Sequence, residues 1–304
     1  FAHLFVVALR RMANDLAIFN TVIGYIVEVL SIISILGAFL VILTFSIFKE
    51  IRTFPIKLIV NLCWTVLFAQ VFFLLSFVLY DTFMCIPCAM IIHYFFLSMF
   101  FWSFCIAFNF YRMIVRRDGG AEKKEKVYQL VSWGIPYVIV IIIAGVQRYD
   151  DIGGFCYMNS GIAVFAAFFL PGLILISANT VLFFFVAREI HDTMSQAPQS
   201  ERREKSTELR VYVSIFVSIG LSWIFGFLMA IFPSDNVGAL ILLVIFSLTA
   251  PLQGALIFIS YCLNVKVLSR WAGLLGRCLP VFRRWETLGS TQTTGKSGRS
   301  ARAN

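Results

Sequence analysis

The chain is expected to be an all-α membrane protein: a seven-transmembrane helix bundle with its amino terminus outside the cell and a cytoplasmic carboxyl tail. Three observations predict this. Hydrophobic residues make up 60% of the 304 and charged residues 13%, with a mean hydropathy of +0.88, well away from the balance of a soluble domain. Apolar runs of spanning length recur seven times between short polar stretches. Basic residues lie in alternate connections: the first, third and fifth plus the tail hold 20 of the 25 Lys and Arg, whereas the second, fourth and sixth hold one. Short cytoplasmic loops carry that excess, so the tail is inside and, with seven crossings, the first residues are outside.

Residues 1–19 mix short apolar clusters with Arg10, Arg11, Asn14 and Asp15 and are too short to span. The first span is expected at about 20–48, with Glu28 as the one acidic residue at membrane depth, near the outer end. A basic turn through Pro55 leads to a second span at 56–80. The third run, Cys85 to Val115, has 31 residues. As a helix that is about 46 Å, longer than the roughly 30 Å hydrocarbon core. It also carries His93, Tyr94, Trp102, Ser103, Asn109 and Tyr111, polar groups that are costly against lipid, which marks it as the interior post of the bundle. A basic loop follows, then a fourth span at 127–146 that Pro136 should kink, and an outer loop at 147–160. The fifth span is expected at 161–187, a mobile polar loop at 188–210, the sixth span at 211–232 and the seventh at 237–261, broken by Pro251 and Gly254. Residues 264–285 alternate basic and apolar positions, as a helix lying on a membrane surface does, with Cys278 placed for acylation; 286–304 read as a disordered tail. The domains are therefore 1–19, a bundle at 20–263, the surface helix and the tail.

The net charge of +9 does not point to nucleic acid, because the cations are spread over short loops. Cys85, Cys88 and Cys156 are the cysteines on the oxidising side; Cys85 with Cys156 would tie the head of the third helix to the fourth connection, and Cys88 is the competing partner. Three separated histidines give a metal no second local ligand, and neither a phosphate-cradling glycine loop nor a Gly-x-Ser-x-Gly elbow occurs, so no cofactor, metal or enzyme activity is expected. The chain begins at Phe1 with no secretory signal and reads as a fragment or a processed product.

Several motifs then fall in order. Cys85 is followed eight residues on by His93-Tyr94-Phe95-Phe96-Leu97. Further along come Trp133-Gly134-Ile135-Pro136, Phe155-Cys156-Tyr157, Ser222-Trp223-Ile224-Phe225-Gly226 and Leu252-Gln253-Gly254. Together they resemble the adhesion-type, secretin-like branch of the seven-helix G-protein-coupled receptors over essentially the whole chain up to the surface helix. The resemblance implies a plasma-membrane receptor that transduces to heterotrimeric G proteins, with membrane lipids around it and a non-covalently bound amino-terminal ectodomain fragment beside it. It also implies that Phe1-Ala2-His3-Leu4-Phe5 is a tethered agonist, similar to the family's Thr-x-Phe-Ala-x-Leu-Met from its Phe onward, so that Phe1, Ala2, Leu4 and Phe5 carry activation.

The expected agonist pocket and switch comprise His93, Phe96, Tyr157, Trp223, Phe225, Gly226, Gln253 and Gly254. The expected G-protein contacts are Tyr111, Arg112, Arg116, Arg117, Arg188 and Arg210. Three places depart from the family pattern. Ile106-Ala107-Phe108-Asn109-Phe110-Tyr111 stands for its acidic-Gly-x-His-x-Tyr, Ala250 for the Asn before Ser-Leu-Gln-Gly, and Ile59 for the second-helix His. Two other functions compete: a seven-helix adhesion anchor or scaffold with little signalling, and a transporter using Glu28.

Overall fold

The computed structural model describes residues 2–118, 120, 124–151, 154–196, 213, 220, 222–229, 237–263 and 265–276. Helices α1 (Ala2–Ile47), α2 (Phe54–Leu79), α3 (Cys85–Ile114) and α4 (Glu125–Gly145) run alternately up and down. Strands β1 (Tyr149–Asp151) and β2 (Cys156–Met158) then pair antiparallel, with Tyr149 opposite Met158 and Asp151 opposite Cys156. Helix α5 covers 161–196 and α6 is Ser222–Met229. Helices α7 (Val237–Thr249) and α8 (Gln253–Cys262) meet at 43°, and α9 is Val265–Gly276. Five helices among the described residues are long and apolar enough to cross a membrane, six if the bent pair counts as one. The sixth expected span is described chiefly at Ser222–Met229. We call the two ends of the bundle the hairpin end, after β1 and β2, and the basic end.

Helix α3 is the interior post. Buried residues make up 67% of its apolar window, against 22% to 39% in the other four spans. It packs on α2, α4, α5 and both strands. Trp102, Phe100, Leu97 and Ile92 are buried on several sides of it, which an all-round apolar helix needs and a lipid-facing one does not. The disulfide joins Cys85 at its head to Cys156 of β2, Cα to Cα 5.2 Å, and ties the hairpin across the top of the post. Cys88, the competing candidate, is a free thiol directed at the Phe72 carbonyl, 3.5 Å away.

Both mid-span prolines follow a widened turn. A π-turn at Leu130–Gly134 precedes Pro136, and another at Phe165–Phe169 precedes Pro171. A proline cannot donate to the carbonyl four residues back and its ring crowds that carbonyl, so the turn before it opens. Pro251 acts at a break instead: it sits between α7 and α8, and the bend of the seventh span lies at 250–252 rather than at Gly254. Helix α5 outlasts its expected end by continuing to Gln196. The larger difference is at the start. Residues 2–20 do not form a separate segment but prolong α1 into one 46-residue helix. They carry it about 28 Å beyond Thr21, at 1.5 Å per residue.

Gly254 has a different task from hinging. Its N–H donates to Ser34 Oγ at 2.8 Å, and a Cβ there would collide with the Ser34 carbonyl oxygen. Across the same interface a Cβ on Gly37 would come within 2.8 Å of the Gly254 carbonyl oxygen and of Ala255 Cα. Two backbones in such contact need small residues on both sides, as helix pairs in lipid commonly do. Gly254→Ala is therefore expected to cost about 1 to 3 kcal/mol of stability. Gly24→Ala, where nothing lies within 4 Å, should cost nothing. Thermal unfolding of the two purified variants in the same detergent checks the contrast; equal melting would refute the close-packing account.

Candidate functional site

At the hairpin half of the bundle lies a cavity of about 310 Å³. Its wall takes Val27 and Ser31 from α1, Gln70 and Phe73 from α2, Phe96 from α3 and Phe168 from α5. Phe155 and Tyr157 of the hairpin, Trp223 of α6, Phe246 and Ser247 of α7, and Pro251 close it. Trp223 is the centre of an aromatic cluster. Its ring centroid is 5.1 Å from Phe100, 5.3 Å from Phe246, 5.4 Å from Phe96 and 5.5 Å from Phe168, all near edge-to-face. Such pairs add about 0.5 to 1.5 kcal/mol each beyond their burial. The cluster joins α3, α5, α6 and α7, so none of these helices can tilt at this level without re-aiming rings on the others.

Glycines let the cluster close. A Cβ on Gly226 would sit 2.8 Å from the Phe246 ring, and one on Gly172 would sit 2.8 Å from Phe227 Cζ. Gly226 therefore marks where α6 leans on α7. Phe225 is half-buried and is not among the cavity-lining residues.

His93 lies behind the wall rather than in it. It is fully buried, with Nδ1 at 2.6 Å from Tyr149 Oη and Nε2 at 3.1 Å from the Ala167 carbonyl. A carbonyl can only accept, so Nε2 bears the proton and Nδ1 accepts from the Tyr149 hydroxyl. Burial pushes the Tyr149 phenol above its usual range, which keeps it a donor. Ala167 is four residues before Pro171, so its carbonyl lacks the usual helical N–H four residues on. His93 thus ties α3 to β1 and to the π-turn of α5, and positions Tyr157 and Phe168, whose rings lie 6.2 and 6.1 Å from its own. Gln253 and Gly254, also expected at the pocket, are buried at the α8 interface outside the lining.

Polar atoms in the wall are few. Among the described residues Ser31 Oγ and Trp223 Nε1 are buried without a hydrogen-bond partner. An unsatisfied buried group costs about 1 to 3 kcal/mol.

The basic end is held by ion pairs. Arg112, expected to face a G protein, is instead buried: it pairs with Asp118 and donates to Tyr128 Oη at 3.3 Å. The second Asp118 oxygen accepts from the Gly120 N–H at 2.8 Å. Arg117, three residues past the end of α3, occupies the left-handed region at φ 50° and turns the chain back so that Asp118 N–H reaches the Arg112 carbonyl at 3.0 Å. Arg117 pairs with Glu189 of α5 at 3.6 Å and Arg188 with Asp192 at 3.9 Å, both arginines being exposed. Lys57 pairs with Glu125 at 3.6 Å. Arg116 is exposed and Tyr111 rests against Phe185, 6.0 Å between centroids. Helix α9 is fastened to α1 by Trp271, whose Nε1 donates to Thr44 Oγ1 at 3.1 Å, and to the turn that follows α1 by Arg270, 3.3 Å from Glu50.

Glu28 is exposed on α1, and among the described residues no ion pair or side-chain hydrogen bond joins it to a relay partner. Phe1, Arg210 and Cys278 lie outside the described residues. Ala2, Leu4 and Phe5 belong to the helical backbone of α1. Sequence reasoning missed Phe100, Phe168 and Phe246, because with 33 phenylalanines no single one stands out. It also missed Tyr149, Ala167 and Asp118, whose roles come from partners far away or from backbone atoms.

A helical bundle with a disulfide-tied hairpin over a buried aromatic cavity is the architecture of a seven-transmembrane receptor. Residues 18–257 match the family described as 7 transmembrane receptor (Secretin family), and the chain belongs to that family, in its adhesion-type branch. It is a multi-pass plasma-membrane receptor and not an enzyme. It is 44% identical over 281 residues to latrophilin receptor-like protein A of Dictyostelium discoideum, covering 92% of each chain. It is 28% identical over 268 residues to adhesion G-protein coupled receptor D1 of Homo sapiens, 86% of this chain and 30% of that one. To G-protein coupled receptor 1 of Arabidopsis thaliana it is 27% identical over 251 residues, 78% and 76% of the two chains. The chain thus spans less than a third of the animal receptor's length and most of the other two.

Two substitutions test the geometry. Tyr149→Phe strands His93 Nδ1 and should destabilise by about 1 to 3 kcal/mol, read as a lower melting temperature with the disulfide intact. Asp118→Asn should weaken the hold on Arg112 and raise hydrogen exchange of the 112–120 backbone. Arg112 holds the Asp118 carboxyl below the usual carboxylate range. A depressed carboxyl stabilises above its ordinary pKa and loses that contribution as pH falls through the lowered one. Wild-type protection at 112–120, the exchange rate divided into its intrinsic value at each pH, should therefore be flat from neutral pH down to about pH 5 and fall only in stronger acid.

Proposed function

We propose that this receptor transduces to heterotrimeric G proteins from its basic end, with the hairpin end outside the cell, and that the segment Phe1 to Val7 is its tethered agonist. The observation that supports this reading best is the Trp223 cluster, which lines the cavity and at the same time joins α3, α5, α6 and α7. A group entering beside Trp223 must move the Phe246 ring, and Phe246 sits against Gly226. The push therefore reaches α6 and α7 where they lean on each other.

At about 310 Å³ the cavity accepts an anchoring side chain rather than a whole peptide. Phe1 or Leu4 is that anchor, each worth about 1.5 to 3 kcal/mol when buried. The rest of the segment lies over Phe155 and Tyr157. To get there residues 2–20 must leave the α1 helix, after which an extended tether of roughly 60 Å easily reaches back. Tethering lets a modest intrinsic affinity suffice. At the other end, activation breaks the Arg112 to Asp118 pair and the Arg117 to Glu189 pair, freeing Tyr111, Arg112, Arg116, Arg117, Arg188 and Arg210 for a G-protein helix. Cys278, if acylated, holds the surface helix to the membrane. A second reading is favoured by the unbroken α1: as a rigid stalk rather than a free peptide it would suit an anchor that signals little.

Guanine-nucleotide exchange on purified heterotrimers separates the two. The double variant Phe1→Ala with Leu4→Ala is expected to lower exchange by roughly tenfold or more, since burial of two such side chains exceeds the 1.4 kcal/mol of one decade. Wild-type exchange indistinguishable from receptor-free controls would support the anchor. Unchanged exchange in the double variant at equal surface level would remove the agonist.

A further inference from the structure

We propose that Cys85, Cys88 and Cys156 form a disulfide-exchange switch, in which the bond of Cys156 passes from Cys85 to Cys88 and draws the hairpin deeper into the bundle. Cys88 is a free thiol three residues after Cys85, so the two are neighbours on the same side of α3. The adjoining helix fixes their spacing independently. Cys156 Sγ lies 3.8 Å from the Ser76 carbonyl, and Cys88 Sγ lies 3.5 Å from the Phe72 carbonyl. Those two carbonyls are one turn apart on α2, about 6 Å along the helix. The unbonded sulfur therefore sits one turn below the disulfide, against the same wall. All three cysteines are buried, so a thiol in solution has no access to the bond, whereas Cys88 is held beside it.

The step is an isomerisation that leaves the redox state unchanged. Cys88 attacks Cys156 Sγ as its thiolate; the bond from Cys88 to Cys156 forms and the bond from Cys85 to Cys156 breaks. Cys85 leaves as the thiolate and takes up the proton that Cys88 gave up. One disulfide and one thiol stand on each side, so no oxidant or reductant is consumed. A disulfide needs Cβ atoms about 3.5 to 4.5 Å apart, so the hairpin must follow its sulfur down α3 by roughly 4.5 Å, the rise of three residues. A track for that movement exists. The ring of Phe155, next to Cys156, already touches Phe77 and Phe73, one turn apart on α2, with centroids at 5.1 and 5.6 Å. Ring contacts of this kind slide without baring polar groups. At the two ends of the hairpin segment, a Cβ on Gly145 or Gly161 would meet nothing within 4 Å. Against the movement stands Tyr149, paired with Met158 across the hairpin, whose hydroxyl is 2.6 Å from His93 Nδ1. That bond holds the hairpin at the level of Cys85. Once the hairpin descends, Phe155 and Tyr157 advance into the cavity they now line.

The test maps the bond in the full chain, held in phospholipid nanodiscs with no added thiol or oxidant. After incubation at about pH 6 or about pH 8 the sample is denatured in weak acid, free thiols are blocked with N-ethylmaleimide, and the disulfide is reduced and tagged with iodoacetamide. Fragment-ion mass spectrometry of the peptide carrying both Cys85 and Cys88 then reads which of them was bonded. Wild type is expected to show Cys88 bonded in a minority of molecules, on the order of 1 to 10%. Because the thiolate is the attacking form, that level should be reached about tenfold faster or more at the higher pH. In Cys85→Ser the bond should join Cys88 to Cys156 in most molecules. The backbone at 149–158 should then exchange hydrogen faster than in Cys88→Ser, where the bond is confined to Cys85. Wild type in which Cys85 alone is ever bonded, at either pH, would overturn the switch. So would Cys156 left unbonded in folded Cys85→Ser. A Cys88 bond found only in disulfide-linked dimers on a non-reducing gel would also defeat it, because the exchange would then run between chains. Should Cys85→Ser fail to fold, the wild-type mapping decides by itself. No part of the measurement reads nucleotide exchange, so its outcome is separate from that of the tethered-agonist test.

Discussion

Inside hydrocarbon a backbone carbonyl that loses its helical donor has no water to turn to, and Pro171 takes the usual donor from Ala167. His93 supplies the missing proton from Nε2 and, having spent it there, must accept at Nδ1, where Tyr149 of the hairpin donates. A proline in α5, a histidine in α3 and a tyrosine in β1 are thus one connected system. Its consequence is position: Tyr157 and Phe168, the two cavity walls that touch His93, are held by a polar network that lies one layer behind them. The disulfide from Cys85 to Cys156 clamps the same hairpin from the other side.

With that layer rigid, the cavity side is free to be soft. Its wall is mostly rings on different helices, and ring against ring is a contact that can slide without leaving a polar group bare. Glycines at 172 and 226 bring these rings close, and the glycines at 37 and 254 press α1 on α8. The bend at 250–252, where the seventh span is interrupted, opens into the cavity through Ala250 and Pro251. Rigid polar ties on one side and adjustable aromatic packing on the other are what a two-state element requires.

At the basic end the chain departs from its family's polar pattern, and the structure shows what stands there. Ile106 and Phe108 fill core positions, while Asn109 turns its amide toward Met113 Sδ at 3.3 Å. The polar hold has moved outward to Arg112, Asp118 and Tyr128 and to the pairs that join α2 to α4 and the third connection to α5. These pairs, apart from Arg112 itself, are part exposed, where an ion pair contributes at most about 1 kcal/mol. Each resists opening only weakly, so the resting state at this end depends on their number and on the burial of Arg112.

Composition and spacing by themselves determined the bundle, the interior role of the third helix, the reach of most spans and the family, because hydrophobic length, buried polar residues and motif order are local properties of the chain. Trp223 and Cys156 could be picked out for the same reason, each sitting in a short recognisable stretch. Only the tertiary structure decided that His93 serves the wall rather than the ligand, that Gly254 packs instead of hinging, and that Arg112 is already satisfied. It also decided that the first residues prolong α1. Each of these turns on a partner brought from elsewhere in the chain, or on a carbonyl that any residue carries, and neither leaves a mark in the letters of the sequence.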